Sequence, residues 1–409
     1  MDLFYGSVKL ALLKKQPTFP EMTITLFAQL VSLLDRNAFK KIVFKYHSDK
    51  HAKGYDSWSQ LVSMLFCHLG KCQSLRDISN ALKSATGNLN HLGIGHAPSK
   101  SALSYQNKNR SWLIFREYYY FLKKRLGQQA QGWGKKLHLK SKIYLLDSST
   151  ITLCLSLFDW AKYTHEKGAV KLHALLDYED RLPAYVHISD GSMGDNSGAY
   201  YQPLAPGSIV VADRGYMDFA LFNDWDSKGA FFVVRHKQNI KFTTLEEFDL
   251  PEEGFQDILK DEMIIMNNDA VWKKYPKHLR RVVVWDEQRQ ATIELLTNNR
   301  TLHCGKISEL YRNRWFVEVF FKEVKQLLSV KTFIGTTQNA VLIQLWTALI
   351  SILLLKYLRA RSGFRWHLSN LGSFLRLNLL VKIDLTFWLN HPFSGSSPPS
   401  SPLQQGLLF

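Results

Sequence analysis

Apolar residues recur at threes and fours through LFAQLVSLL, FKKIVFKY, WSQLVSMLFCHL and WLIFREYYYFL, which predicts helices throughout Met22 to Leu126 and no strand. At Lys142 the period shortens. KIYLLDSS, KLHALLDYED and LPAYVHISD read as three strands of an antiparallel meander. Ser208 to Ala212 reads as a fourth strand, which ends on Asp213 and runs through a Gly turn into a helix, and FFVVRHK as a fifth. Between Arg235 and Ile307 the alternating, Val- and Ile-rich segments QDILKDEMIIMN, RRVVVWDEQ and ATIELLTNN predict further strands. The stretch YRNRWFVEVFFKEVKQLLS, residues 311 to 329, then reads as one helix with two faces. Phe316, Phe320, Val324 and Leu327 form an apolar stripe, and Tyr311, Arg314, Glu318, Lys322 and Lys325 a polar one. A buried helix over Ala340 to Leu358 and an amphipathic segment over Trp366 to Trp388 complete the periodic part.

Three strands, a connection, a strand tipped by an acid, a helix and a strand is the order of a ribonuclease H-like core. The expected fold class is α/β: such a core with a β-rich insertion, preceded by an all-α DNA-binding domain and followed by C-terminal helices. The boundaries expected are 1–126 for the helical domain, 127–141 for a Gly-, Gln- and Lys-rich linker, and 142–235 for the first part of the core. Residues 236–305 form the insertion, 306–358 the catalytic helix and end of the core, and 359–393 a C-terminal helical segment. The Ser- and Pro-rich stretch 394–409 is expected to be disordered.

Charge sharpens this division. Residues 1–140 contain 22 Lys and Arg against 7 Asp and Glu, so nearly all of the formal net charge of +17 lies in the first third. A basic helical part joined to a balanced one suggests a grip on a polyanion beside a separate activity. Four scattered cysteines, Cys67, Cys72, Cys154 and Cys304, indicate neither a disulfide framework nor a zinc site, and His68 between the first two reads as core. The start does not read as a signal peptide. The apolar run Val341 to Leu355, interrupted by Gln344, Thr347 and Ser351, is short for a membrane span. A cytoplasmic, nucleoid-associated protein is the expectation.

Within the basic part, SLRDISNALKSA and PSKSALSYQNKNRSW look like the two helices of a helix-turn-helix, starting at Ser74 and at Pro98–Ser99. Lys100, Lys108 and Arg110 are the candidates for phosphate, while Gln106 and Asn107 are of the kind that pairs with base edges. An ordinary helical hairpin is the alternative.

The acids carry the chemistry. Asp147 and Asp213 at the ends of neighbouring strands and Glu318 on a crossing helix would converge, and divalent ions relieve the repulsion among three carboxylates. Two Mg²⁺ or Mn²⁺ ions so held would activate a water or 3′-hydroxyl and stabilise the leaving oxygen of a phosphodiester. Taken singly, each Asp is equally an Asx-turn or helix cap, and Glu318 an i,i+4 partner of Arg314 and Lys322.

These residues also resemble a known family. YRNRWFVEVFFKEVK fits the Tyr, Arg, Glu, Lys signature of the DDE transposases of the insertion-sequence-four type, at Tyr311, Arg314, Glu318 and Lys325. DRGY, Asp213 to Tyr216, fits the family's second motif and LLDSST around Asp147 the first. The resemblance implies that Asp147, Asp213 and Glu318 ligate the two catalytic metal ions. It implies phosphate contacts at the element's ends for Tyr311, Arg314 and Lys325, with Trp315 against displaced DNA. The partners implied are double-stranded DNA, both transposon ends and target, and a second copy of the chain in a synaptic dimer. The implied reaction is strand cleavage at terminal inverted repeats and strand transfer, cut-and-paste through a hairpin. ATIELLTNN lacks the Trp that family members can carry in the strand before the signature helix. Trp272 and Trp285 are nearby candidates, each expected in the core of the insertion.

Two weaker candidates lie near the acids. His173 reads as a satisfied strand histidine and Asp195 as a loop cap. Lys237 and Lys241, beyond the fifth strand, read as solvated charges with a possible DNA-tracking role. Two other readings fit the same residues: a DNA-binding regulator or inactive relic, and a ribonuclease H-like nuclease or resolvase without strand transfer.

Overall fold

The computed structural model describes residues 23–393 apart from 86, 130–136, 138, 154–157, 159, 162–167, 237–240, 251–255 and 329–332. Residues 1–22, most of the expected linker, Lys237 and the tail 394–409 lie outside the described residues.

Up to Gln129 every described α or β element is a helix: α1 (Leu26–Ser32), α2 (Arg36–Lys45), α3 (Ser57–Gly70), α4 (Leu75–Ser84), α5 (Lys100–Asn109) and α6 (Leu113–Gln129). Their starts follow side chains that accept from otherwise unbonded N–H groups: Thr25, Asp35, Asp56 and Ser99 cap α1, α2, α3 and α5. Ser74 and Asp77 form a reciprocal capping box at α4.

Nine strands then build one sheet. They are β1 (Ile143–Leu153), β2 (Gly168–Asp177), β3 (Pro183–Asp190), β4 (Ile209–Ala212) and β5 (Phe231–Arg235), then β6 (Phe242–Glu247), β7 (Ile258–Met266), β8 (Leu279–Asp286) and β9 (Ala291–Thr297). Short helices α7 (Asp195–Ala199), α8 (Phe219–Ser227) and α9 (Asp269–Lys274) lie between them. The spatial order is β3-β2-β1-β4-β5-β9-β8-β7-β6. β4 is parallel to both β1 and β5, and every other pair is antiparallel. The strands of 236–305 thus continue the sheet through β9 on β5.

Alternation along the strands separates two cores. Leu145, Val211, Val233 and Leu295 face a large core shared with the helices that follow the sheet: α10 (Cys304–Arg312), α11 (Trp315–Leu328) and α12 (Gln338–Arg361). Leu146, Ala212, Val234 and Leu296 face a smaller core under α8 and α9. The N-terminal helices belong to the large core, and α12 packs against α3, α5 and α6.

α12 is the one helix among the described residues long and apolar enough to cross a membrane, and its apolar stretch is wholly buried inside the protein. The polar residues that interrupt it have partners there. Thr347 Oγ1 lies 2.9 Å from His68 Nε2, Gln344 Oε1 accepts from Ile334 N at 3.0 Å, and Ser351 donates to Thr347 O at 3.0 Å. Its buried Lys356 pairs with Glu323 of α11 at 3.0 Å and donates to Arg181 O in the β2–β3 turn at 2.7 Å. Arg181 in turn lies over the Phe316 ring at 3.6 Å. This ties α11 to the sheet from behind.

Helices α13 (Leu368–Asn378) and α14 (Leu385–Asn390) close the fold. The connection between them pairs with the start of α1, through Leu26 N to Val381 O at 2.9 Å and Phe27 N to Leu379 O at 2.8 Å.

Candidate active site

Register brings the first two acids level. The last parallel pair of β1 and β4 is Leu145 with Val211, and Asp147 and Asp213 both lie two residues further on. β4 ends at Ala212 whereas β1 runs on to Leu153, so Asp147 sits within its strand and not at its tip. Beyond β4 the chain turns away. Asp213 Oδ1 accepts from Gly215 N at 2.6 Å, capping a single 3₁₀ turn. A Cβ at Gly215 would stand 2.9 Å from that oxygen, which explains the glycine of DRGY.

Glu318 comes from a helix that is broken where its apolar pattern is continuous. α10 ends at Arg312 and α11 begins at Trp315. Across the joint the backbone bonds shorten to three residues: Arg314 N to Tyr311 O, Phe316 N to Asn313 O and Val317 N to Arg314 O. The joint precedes the buried Val317, Phe320, Phe321 and Val324 and the half-buried Phe316. It leaves Arg314 between the acids. Its Nη1 lies 3.5 Å from Asp147 Oδ2, its Nη2 2.5 Å from Glu318 Oε1, and its guanidinium over the Tyr311 ring at 5.9 Å.

Asp147 is the acid whose surroundings act on it most plainly. Burial raises the Asp147 carboxyl to about 6; its bond from Ser148 N and the Arg314 charge oppose this, and Asp213 and Glu318 add to it. Among the described residues no three His, Cys, Asp or Glu side chains stand close enough to hold one ion, and Arg314 pairs with both Asp147 and Glu318.

Two cavities meet at Glu318. One, of about 470 Å³, is lined by Asp147, Ser148, Glu318, Lys322 and Lys325, so that two lysines overlook two of the acids. The other, of about 830 Å³, is lined by Trp285, Arg289, Tyr311, Arg314, Trp315 and Glu318. Trp315 is 60% exposed. Trp285 and Trp272 are each 37% exposed, which corrects the expectation that they fill the core of the insertion. β8 instead holds Trp285 at the cavity, as the cross-strand partner of Thr292 on β9.

On the basic part, Lys100 and Lys108 are exposed on α5, with Ser101, Ser104 and Tyr105. Arg110 is a correction. Only 3% exposed, it bonds Gln60 Oε1 at 2.9 Å and the carbonyls of Tyr55 and Asp56 at 2.9 and 3.1 Å, and pairs with Asp49 at 3.2 Å. A guanidinium spent on those partners cannot reach a phosphate. Asn107 is likewise buried, accepting from Gln60 at 2.6 Å.

Asp195 is not a loop cap, since Gly194 is the N-cap of α7 and makes no side-chain bond. The Asp195 carboxylate is bound by Lys171 at 2.7 Å and by the Ser148 hydroxyl. His173 is buried, its Nε2 3.1 Å from Ser189 Oγ. Tyr216 of DRGY is buried in the same layer. The meeting of Ser148, Lys171 and Tyr216 was not legible in the sequence, because 23 to 68 residues separate them and only the sheet joins them.

Residues 138–354, a little over half of the chain, match the family model described as the transposase DDE domain. Residues 22–95 match a domain of unknown function, DUF4372. The chain is 28% identical over 261 residues to a candidate transposase, y4zB, of Sinorhizobium fredii, covering 64% of this chain and 71% of that protein. It is 30% identical over 225 residues to a protein of Geobacillus stearothermophilus named a probable transposase for insertion sequence element IS5377, covering 55% and 58%. It is 24% identical over 298 residues to a candidate transposase for insertion sequence element IS4SA of Synechocystis, covering 72% and 82%. On the family match and these relatives, the chain belongs to the DDE transposases of the insertion-sequence-four type.

Proposed function

We propose that the protein binds the terminal inverted repeats of an insertion sequence and catalyses metal-dependent strand cleavage and strand transfer there, within the Tyr-Arg-Glu-Lys subgroup. The observation that carries this is the shared cleft of Asp147 and Glu318, bridged by Arg314 and overlooked by Lys322 and Lys325, with Asp213 in register beside it. The strand order β3-β2-β1-β4-β5, with β4 parallel to its two neighbours, supports a ribonuclease H-like core at 142–235 and 306–358. Residues 236–305 are the insertion, and the basic helices of 1–126 supply the grip on DNA, with Lys100 and Lys108 on phosphates.

The donor set suits hard divalent ions. It consists of carboxylates alone, and burial with its acidic neighbours disfavours the charged form of Asp147, a cost that a bound cation offsets. Asp147, Asp213 and Glu318 would hold Mg²⁺ or Mn²⁺, two per site, supplying charge to activate a nucleophilic oxygen and to stabilise the leaving one. The protein's own groups do the rest. Arg314 gives up its acids to take a phosphate, Tyr311 sets its plane, and Lys325 and Lys322 neutralise the backbone that enters the cleft. Two copies would pair two ends in a cytoplasmic, nucleoid-associated complex.

The larger cavity favours the hairpin route. Trp285, with Trp315 beside Arg314, offers a ring for an unstacked base, from the strand next to the one where a Trp was sought. Base stacking on an aromatic ring is worth about 1–3 kcal/mol. Trp285→Ala should therefore lower hairpin yield by about tenfold or more while first-strand nicking persists, measured on a labelled end duplex in denaturing gels. Equal hairpin yield would remove Trp285 from the pathway. The overall reading is tested by strand transfer: a pre-cut 3′ end must join a second duplex in the presence of Mg²⁺. Cutting without joining would make the protein a nuclease instead.

A further inference from the structure

Behind the acids, on the other face of the sheet, lies a polar cluster with no part in the scheme above. Leu145 faces the core under α11 and Leu146 the core under α8, so alternation places Asp147 on the first face and Ser148 on the second. Ser148 joins the two faces. Its backbone N–H donates to Asp147 Oδ1 at 2.8 Å, and its hydroxyl donates to Asp195 Oδ1. Lys171 Nζ stands 2.7 Å from the same Asp195 oxygen and donates to Met193 O at 3.1 Å. α7, which carries Asp195, is seated without slack: a Cβ at Gly198 would stand 2.1 Å from His173 Nδ1 on β2. An acid so neutralised and so fixed is not free to ligate an ion. It is placed to hold something else still.

We propose that Lys171 and Asp195 form a clamp that positions Asp147 through Ser148. With the Ser148 hydroxyl anchored, the peptide between residues 147 and 148 keeps its N–H on Asp147 Oδ1 and leaves Oδ2 turned to Arg314 and the cleft. Without the anchor, the Asp147 carboxylate is free to rotate. The clamp deepens the metal site proposed above and rests on it.

The test is Mn²⁺ binding to the complex of full-length protein with an end duplex, followed by the electron paramagnetic resonance signal of free Mn²⁺. Losing an outer partner of a metal ligand typically weakens metal binding roughly 10- to 100-fold. Ser148→Ala and Asp195→Asn should raise the half-saturating Mn²⁺ by that factor with end binding unchanged in a mobility shift, and Ser148→Thr, which keeps the hydroxyl, should restore it. Lys171→Met supplies the same readout from β2 should Ser148→Ala not fold. Wild-type Mn²⁺ binding in the clamp variants, alongside a loss in Asp147→Ala, would overturn the clamp and leave the site standing. Wild-type binding in Asp147→Ala itself would overturn the site.

Discussion

Glu318→Gln is expected to abolish strand cleavage and to leave binding of the element's ends intact. The substitution keeps the volume of the side chain and a carbonyl oxygen to accept from Arg314 Nη2, now 2.5 Å from Oε1, so α11 has no reason to move. What it removes is one of three negative charges around the cleft. A lost ligand should cost more than the roughly 10- to 100-fold of a lost outer partner, which places cleavage below detection in an ordinary gel assay. Removing a charge from a DNA-facing cleft does not weaken the basic grip, and end binding stays level or rises. Cleavage at the wild-type rate would take Glu318 out of the site.

The second large effect is on stability and comes from a residue expected on the DNA. Arg110→Met strands the Gln60 carbonyl and the main-chain oxygens of Tyr55 and Asp56 inside the helical bundle, and leaves Asp49 without its cation. Unpaired buried polar groups cost about 1–3 kcal/mol each, and breaking a buried ion pair about 3–5 kcal/mol. Asp49 is about a third exposed and keeps its bonds from Ser57, so a loss of about 3 kcal/mol is expected in chemical denaturation. The same variant, where folded, should bind DNA with an unchanged salt slope, whereas Lys100→Ala and Lys108→Ala should each reduce that slope by about one. A lower slope for Arg110→Met with no loss of stability would return that residue to the DNA surface.

Arg110 also shows where reading the chain stops. Its residue type suits phosphate, and type is visible in sequence; which side of α5 faces the bundle is set by packing. A clue was present, since Leu103 and Asn107 recur at a spacing of four as the buried side of that helix and Arg110 follows three residues on, at its C-cap. The strands were legible because alternation is a local property, whereas the pairing of β4 with β1 and not with β3 is set by contacts between distant segments. Asp147, Asp213 and Glu318 were legible as motif positions. The break between α10 and α11 was not, because apolar spacing runs through it and only backbone bonding shows the turn. Trp285 went to the wrong environment for a related reason. A Trp in a Val-rich strand reads as core, yet it lies near the end of β8, at the cavity that Tyr311, Arg314 and Trp315 also line. Ser148 and Asp195 are 47 residues apart, and no pattern of either segment predicts that they meet.

The proposed activity is the cutting of DNA by Asp147 and its partners. Its most direct test is a labelled duplex carrying the element's own flanking repeat, incubated with Mg²⁺ and either wild-type protein or Asp147→Ala. Wild type is expected to cut at the repeat end and the variant not to cut, with a shifted band of equal strength for both. Equal cutting by the two proteins, or a shifted band with no cutting by wild type, would contradict it.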